Sequence, residues 1–392
     1  MEMRIGTFAA LLLVAAVVAM VARRLKVPYT VGLVIAGVAL ALFSIVPQIR
    51  LTKELIFTLF LPPLVFEAAL YIGWQELKRD LPVIVTLASL GMMLSALVTA
   101  AGMHYVIGWQ WSGALVFGTL IAATDPVSVI ANFKEAGVHG RLRLLVEAES
   151  LFNDSTAAIA FVVTLAIAGG HSIGFTETLG SLALNISGGI FVGLVVAGFL
   201  LLLAGRTTDR LVELTLTTVA AYSSFLLAEH FNCSGILSSM TAGLLIGNVG
   251  VNGVISESSK EAVISFWDFA AFVANSLIFL LIGIREAQQS LAGMWGAVTV
   301  GIAFVLLGRA VAIYPLCTLF SRSNQRVDMK HQHIMVWGGL RGALALALAL
   351  GLPPDIPHSA EIVTVAFAVV AFSVIVQGLT MTPLLRAFGE IR

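Results

Sequence analysis

Hydrophobic segments, each about as long as a bilayer crossing, repeat along the chain between short polar connections. A helix needs about 20 apolar residues to cross the hydrocarbon core, and thirteen stretches approach that length. The predicted spans are 4–22, 29–47, 53–72, 82–103, 112–133, 143–168, 179–204, 211–229, 233–249, 262–284, 292–320, 333–352 and 360–385. We therefore predict an all-α polytopic membrane protein with about 13 transmembrane helices and no soluble domain. The alternative, a soluble all-helical protein with a large core, is disfavoured by so many uncharged spans.

The composition agrees with a protein that lies in a lipid bilayer. Hydrophobic residues make up 59% of the chain, charged residues only 11%, and the mean hydropathy is +0.99. The formal net charge is zero, which gives no indication of a partner, and no nucleic acid is expected. The chain holds no HExxH motif and no Walker loop. We therefore predict neither enzymatic activity, nor ATP-driven pumping, nor a bound cofactor.

Positively charged residues are concentrated in alternate connections. Most of the 22 Lys and Arg residues lie on one predicted side of the membrane. These are Arg23, Arg24, Lys26, Lys78, Arg79, Lys134, Arg141, Arg143, Arg206, Arg210, Lys260, Arg322, Arg326, Lys330, Arg386 and Arg392. Because cytoplasmic loops carry an excess of Lys and Arg, we predict a plasma-membrane protein with its N-terminus outside and its C-terminus in the cytoplasm.

Polar residues interrupt the sixth predicted span at Glu147-Ala-Glu-Ser-Leu-Phe-Asn-Asp154. The apolar run 155–168 follows, so Asp154 is expected near the middle of the membrane. An acid in hydrocarbon costs at least ~2.5–3.5 kcal/mol on insertion scales, and such residues usually mark an ion or proton path. Burial favours the protonated form of a carboxyl group. This group can hold either a proton or a metal cation, but not both, and that competition is the basis of cation/proton exchange.

The spacing within this segment predicts two helix faces. Ser150 and Asp154 are four residues apart and share one face, whereas Glu149 and Asn153 share the neighbouring face. The hydroxyl and the carboxylate of the first face are hard oxygen ligands suited to sodium or lithium. Glu149 needs a counter-ion, and Arg309 in the eleventh span is the predicted partner. We interpret this pair as a structural brace, because buried ion pairs mostly specify geometry.

Two other spans contain helix breakers. Thr124-Asp125-Pro126 interrupts the fifth span, and Trp337-Gly-Gly-Leu-Arg-Gly342 interrupts the twelfth. Broken helices at membrane depth persist where they line protein or a cavity, and in transporters they commonly build the ion site. Asp125 would offset half-helix N-termini, and Arg341 would offset half-helix C-termini. The alternatives are a simple proline kink and a glycine-rich packing face whose arginine reaches the cytoplasm.

The positions of these breaks predict an internal repeat. They lie seven spans apart, which matches a first repeat over about 4–168, a linker helix over about 179–204 and a second repeat over about 211–385. An odd offset makes the two six-helix repeats inverted, and their discontinuous helices would then cross near the midplane.

Glu67 is a further acid within an apolar span. It follows Leu61-Pro-Pro-Leu-Val-Phe66. The side chain is either an interfacial acid in contact with water, or it is directed inward by a proline kink.

Together, these motifs resemble a known family. Ala123-Thr-Asp-Pro-Val-Ser128, Glu149-Ser-Leu-Phe-Asn-Asp154 and Gly338-Gly-Leu-Arg-Gly-Ala343 occur in that order, accompanied by Ser234-Gly-Ile-Leu237 and Ala242-Gly-Leu-Leu-Ile-Gly-Asn248. The chain resembles the electroneutral branch of the monovalent cation:proton antiporters, the prokaryotic sodium/proton antiporters related to animal sodium/hydrogen exchangers. The resemblance covers essentially the whole transmembrane chain. It implies an elevator-type antiporter with a six-helix core domain, a dimerisation domain and a homodimeric assembly, which serves pH and sodium homeostasis.

The same resemblance implies roles for individual residues. Asp154 would carry the cation and the proton, with Ser150, Thr124 and Glu67 near the bound sodium ion. Asp125 would contribute through water or by compensating helix ends.

Two further residues and one ion pair complete the expected site. Asn153 stands where electrogenic relatives carry a second Asp, which favours exchange of one cation for one proton. Glu149 with Arg309 matches the core ion pair of the family, and Arg341 matches its helix-end compensator. The choice among sodium, lithium and potassium stays open, so a potassium/proton antiporter on the same scaffold is an alternative. A cation channel is a weaker alternative, because the chain lacks a TVGYG filter sequence.

Overall fold

The structure is a computed structural model that describes residues 5–25, 27–43, 52–125, 129, 133, 137–170, 175–287 and 293–391. Within these ranges every regular element is helical, which agrees with the predicted all-α class. In chain order the α-helices are α1 (Ile5–Leu25), α2 (Tyr29–Leu42), α3 (Lys53–Leu55), α4 (Leu61–Leu70), α5 (Trp74–Thr86), α6 (Met92–Gly102), α7 (Trp111–Ala122), α8 (Arg141–Ala168), α9 (Phe175–Ala204), α10 (Arg210–His230), α11 (Gly235–Leu245), α12 (Glu257–Glu286), α13 (Trp295–Leu319), α14 (Met329–Trp337), α15 (Ala343–Leu350), α16 (Ser359–Phe372) and α17 (Gly378–Ala387).

Nine helical stretches of the described chain are long and apolar enough to cross a membrane. The other four predicted spans coincide with shorter or interrupted helices. These are α2, the α3–α4 segment, α7, and the α14–α15 pair. Parts of the predicted spans 29–47 and 112–133 lie outside the described residues, so the count of thirteen stays a prediction.

In the described part of the chain, five π-helical turns join or extend the α-helices, and the hydrophobic pattern did not predict them. They cover Ile56–Phe60, Leu87–Gly91, Met103–Ile107, Ile246–Val254 and Ser373–Gln377. Two of them, Leu87–Gly91 and Met103–Ile107, make a continuous helical run over Trp74–Ile107 together with α5 and α6, longer than the predicted span 82–103. The prediction was too short here because Gln75, Glu76, Lys78 and Arg79 at the start of α5 are polar.

The chain divides into two compact units, each built from separate segments. The first unit comprises Met1–Ile56, Asp80–Ser172 and Ser276–Arg392, and the second comprises Phe57–Arg79 and Ile173–Asn275. Their correspondence to the predicted core and dimerisation domains stays a prediction, as does the inverted repeat.

Small residues bring the helices of the first unit close together. A Cβ atom at Gly308 of α13 would lie 2.8 Å from the backbone oxygen of Ser95 in α6. Gly118 of α7 meets the backbone of Ala96 in the same way. Close backbone approach through small residues is typical of helix packing in membranes, where apolar burial contributes little to association. This packing holds the broken helix α7 against its neighbours.

The core of the second unit is built around an aromatic pair. The ring centroids of Phe66 in α4 and Trp267 in α12 are 4.4 Å apart. The indole Nε1 of Trp267 donates to Thr217 Oγ1 in α10 at 3.1 Å, which satisfies the only polar atom of the buried side chain.

Candidate cation site

The long helix α8 carries most of the candidate site. Gly140 precedes it with a φ of 80°, a left-handed conformation that glycine adopts without strain. Asp154 lies midway along α8. Glu149, Ser150, Asn153 and Asp154 are all buried. The polar segment predicted from the sequence is therefore a continuous part of one helix.

Residue Thr124 is fixed on α8 by three hydrogen bonds. The helix α7 ends at Ala122, and Thr124 follows in non-helical conformation. Its hydroxyl lies 2.8 Å from Ser150 Oγ, and it accepts from Asn153 Nδ2 at 2.6 Å. In return, the backbone N–H of Thr124 donates to Asn153 Oδ1 at 3.1 Å. The carboxamide of Asn153 thus bonds to Thr124, which also contacts Ser150 on the neighbouring face of α8, and not only to Glu149 on its own face.

The carboxyl group of Asp154 differs from its neighbours in having no local partner. Within the described part of the chain, it makes no hydrogen bond and no ion pair. The charges of Asp125 and Glu149 act on it, and both of these side chains are also buried. A buried, unpaired carboxylate is strongly destabilising, and protonation of the group removes this cost.

The predicted partners Glu149 and Arg309 form a two-point ion pair. Arg309 Nη1 donates to Glu149 Oε1 at 2.7 Å, and Nη2 donates to Oε2 at 2.6 Å. Asn153 Nδ2 adds a third bond to Oε1 at 2.9 Å. Arg309 Nε also donates to the carbonyl of Met335 near the end of α14, at 3.2 Å. The pair therefore connects α8 and α13 with one half of the broken twelfth span, a contact that sequence analysis missed.

The two interruptions predicted from the sequence are in direct contact. The backbone N–H of Asp125 donates to the carbonyl of Leu340 at 2.7 Å. Arg341 Nη1 donates to the carbonyls of Ala122 and Ala123 at 2.7 and 3.1 Å. These carbonyls lie at the C-terminal end of α7. Arg341 therefore caps the C-terminus of a half-helix as predicted, but this half-helix belongs to the fifth span and not to the twelfth span, which contains Arg341.

The capping of Ala122 follows from the sequence of the fifth span. Pro126 has no backbone N–H, so the Ala122 carbonyl has no donor at the position that would continue the α-helix. Arg341 supplies the missing donor. Pro126 and the rest of the second half of this span, apart from Val129 and Phe133, lie outside the described residues.

The glycines of the twelfth span make room for polar side chains. A Cβ atom at Gly342 would lie 2.5 Å from Asp125 Cβ and Cγ, and one at Gly339 would lie 2.7 Å from Arg309 Nε. Gly342 immediately precedes α15. The Asp125 carboxyl group therefore lies beside the positive end of this half-helix, where a negative charge is favourable.

The remaining predicted residues do not all join this cluster. Glu67 is half-buried in α4 and belongs to the second unit, so its role as a sodium ligand stays a prediction. Glu147 is bound by Arg143 one turn away on α8, at 3.4 Å.

Two further residues were missed by sequence analysis. Ser373 and Gln377 are buried in the π-helical turn of the last predicted span and bind both ends of the interrupted twelfth span. The available signal was a pair of polar residues four apart in an otherwise apolar segment.

The predicted cation ligands all offer oxygen atoms. The hydroxyl groups of Thr124 and Ser150 lie 2.8 Å apart, and Asp154 follows Ser150 one turn along α8. Their role as cation ligands stays a prediction. Such oxygen ligands suit alkali cations and do not suit transition metals.

Comparisons with known proteins agree with this chemistry. Residues 10–387 match the family model described as sodium/hydrogen exchanger, transmembrane. The chain is 38% identical over 368 residues to the Na(+)/H(+) antiporter ApNhaP of Aphanothece halophytica, covering 93% of this chain and 70% of that protein. It is 33% identical to the Na(+)/H(+) antiporter NhaH of Halobacillus dabanensis, covering 97% of both.

The fold is also similar to a solved structure. The sodium proton antiporter MjNhaP1 from Methanocaldococcus jannaschii at pH 8 superposes with a TM-score of 0.76 at 20% identity, covering 98% of this chain and 96% of that one. The family model spans nearly the whole chain. The apolar helices of the chain are those of a multi-pass membrane protein. The chain therefore belongs to the transmembrane sodium/hydrogen exchanger family.

Proposed function

We propose that this protein is a secondary active antiporter that exchanges sodium or lithium ions for protons across the membrane. The observation that carries the proposal is the buried Asp154 carboxyl group, which lacks a protein partner among the described residues. Relatives at 33–38% identity that are named as Na(+)/H(+) antiporters support the same reaction.

The exchange follows from competition at Asp154. In the cation-bound state, the ionised Asp154 binds the ion together with the oxygens of Ser150 and Thr124. In the proton-bound state, Asp154 is neutral and the cation leaves. Because either state removes the cost of a buried charge, both can move between the two sides of the membrane, whereas the empty ionised state cannot.

The neighbouring polar residues set the stoichiometry. Asn153 is neutral, and Glu149 is held ionised by Arg309, so neither group exchanges a proton during the cycle. One proton then replaces one cation, and no net charge moves. Asp125 acts through water or by compensating the N-terminus of α15, and Arg341 compensates the C-terminus of α7.

We further propose an elevator-type movement within a homodimer in the plasma membrane. The division of the chain into two units supports this mechanism, because alternating access of this kind requires two bodies that move as wholes.

The deciding experiment measures proton flux in proteoliposomes that contain the purified protein. Gradients of sodium, lithium and potassium chloride are imposed separately. We expect proton flux with sodium and lithium, with an apparent cation affinity that weakens as pH falls. Flux with potassium alone would favour the potassium/proton antiporter, and a cation current without proton coupling would show a channel.

A further inference from the structure

The π-helical turn Ser373–Gln377 contains two buried polar side chains for which the proposed exchange cycle gives no role. Ser373 and Gln377 are 1% and 3% exposed, and they lie between the apolar helices α16 and α17. π-Helical turns of this kind occur frequently at functional sites. The two residues lie four apart and are joined directly, since Ser373 Oγ donates to Gln377 Oε1 at 2.6 Å.

This pair is bonded to both ends of the interruption in the twelfth span. The backbone N–H of Arg341 donates to Ser373 Oγ at 2.9 Å. Gln377 Nε2 donates to the carbonyl of Trp337, the last residue of α14, at 2.8 Å. A hydroxyl and a carboxamide thus close a bridge across the unwound residues 338–340.

Every donor and acceptor in the bridge has a fixed role. The Arg341 N–H only donates, so Ser373 Oγ accepts and must direct its single proton to Gln377 Oε1. The amide nitrogen of Gln377 then faces the Trp337 carbonyl, which only accepts. No other rotation of the hydroxyl and no flip of the carboxamide satisfies all three bonds, so the bridge specifies one geometry of the interruption.

The bridged segment also positions the cation site. Between the two bonded ends, the Leu340 carbonyl accepts a hydrogen bond from the Asp125 N–H. At one of the ends, the Arg341 side chain caps α7. A displacement of residues 338–341 would therefore move Asp125 and the end of α7 together, and Thr124 with them.

We propose that Ser373 and Gln377 are positioning residues of the antiporter, which hold the interrupted twelfth span in the geometry that gives the Asp154 site its cation affinity. This inference rests on the proposed function. It assigns the pair to cation affinity, because the bridge holds the segment that is bonded to Asp125 and to the end of α7 next to Thr124.

The test compares two isosteric substitutions at one position. Ser373→Thr keeps the hydroxyl group. Ser373→Val removes it, and the valine side chain has about the same volume as the threonine side chain. We expect Ser373→Val to raise the apparent KM for sodium about five- to tenfold, the loss typical of a buried hydrogen bond. The maximal exchange rate should change less than about twofold, and Ser373→Thr should restore the KM.

A matched control separates the bridge from the general effect of removing a buried hydroxyl. Ser276 in α12 is also fully buried, but its hydroxyl has no hydrogen-bond partner among the described residues. Ser276→Val and Ser276→Ala should leave the KM for sodium unchanged. Gln377→Met provides a second probe if Ser373→Val does not fold, and combining it with Ser373→Ala should add no further effect because both remove the same bridge.

The outcomes distinguish this inference from the proposed function. Absence of sodium-dependent proton flux in the unsubstituted protein would contradict the exchange reaction itself. If the unsubstituted protein exchanges ions but Ser373→Val and Gln377→Met keep its KM, the positioning role is wrong. An equal loss of folded protein in Ser373→Val and Ser373→Thr, or a lower maximal rate at constant KM, would also contradict it.

Discussion

At the scale of single residues, the proposed exchange depends on the contrast between two buried acids on α8. Glu149 is neutralised by Arg309 and also bonded by Asn153, whereas Asp154 has no such partner in the described chain. Both groups lie in the same low-dielectric surroundings, so their different partners decide their chemistry. In the proposed cycle, the paired acid stays ionised, and the unpaired acid alternates between a proton and a cation.

We predict that Asp154→Asn abolishes exchange and leaves the protein folded. The carboxamide has nearly the same volume, but it neither ionises nor attracts a cation. Sodium-driven proton flux in proteoliposomes should fall to the level of empty liposomes, while the thermal unfolding profile stays close to that of the unsubstituted protein. Asp355→Asn, in an exposed connection, is the control that should retain exchange. Normal flux in the Asp154→Asn protein would contradict the mechanism.

A second prediction concerns the paired acid. Glu149→Ala should destabilise the protein by about 3–5 kcal/mol, because it leaves Arg309 buried without its counter-ion. The combination of Glu149→Gln with Arg309→Met removes both charges and should recover part of the loss. Thermal unfolding and the yield of monodisperse protein measure both effects. A well-folded Glu149→Ala protein that fails only in transport would show that the pair is not a brace.

Part of this residue-level picture could be predicted from the sequence. A charged Glu149 in an apolar span needs a counter-ion, so Arg309 in another span could be predicted as its partner. The bonds between Thr124 and Asn153 could not be predicted, since they depend on the path of the chain after α7 unwinds. The partner of Arg341 could not be predicted either, because the carbonyls that Arg341 caps belong to a different span.

At the scale of helices, the site is a crossing of two interrupted spans. Each interruption supplies what the other lacks: Arg341 donates to the end of α7, and Asp125 lies at the start of α15. Proline and glycine mark both interruptions in the sequence, so their positions were predictable. The π-helical turns were not, because one extra residue in a turn does not change the hydrophobic character of a span.

The crossing leads to a third prediction. Gly342→Ala should reduce exchange more than about tenfold, because its Cβ atom would lie 2.5 Å from Asp125 Cβ and Cγ and must displace the crossing. Overpacking of this kind typically costs about 1–3 kcal/mol. Gly296→Ala in α13 is the matched control, since a Cβ atom there meets nothing within 4 Å. Exchange rates measured at saturating sodium test the prediction, and equal rates for the two variants would contradict it.

At the scale of the whole molecule, hydrophobic periodicity predicted the class of protein well and its organisation only in part. Apolar spans are specified locally, so most of the predicted spans correspond to observed helices. The division into two units depends on contacts between distant segments, and no local pattern encodes it. Orientation in the membrane and the homodimer stay predictions, because they involve lipid and a second chain.

The last prediction follows from the charge carried in a complete cycle. If Asp154 is the only group that changes its proton occupancy, one proton replaces one sodium ion, and each half of the cycle moves the same charge. The membrane potential then does no work on the exchange, although ~2.3 kcal/mol per 100 mV would act on each uncompensated charge. We therefore expect the steady-state sodium and proton gradients in proteoliposomes to be unaffected by imposed potassium/valinomycin potentials. Asp154→Asn proteoliposomes control for passive leak. Gradients that shift with voltage would show net charge movement and would identify a second titrating acid, with Glu67 and Asp125 as the residues to substitute next.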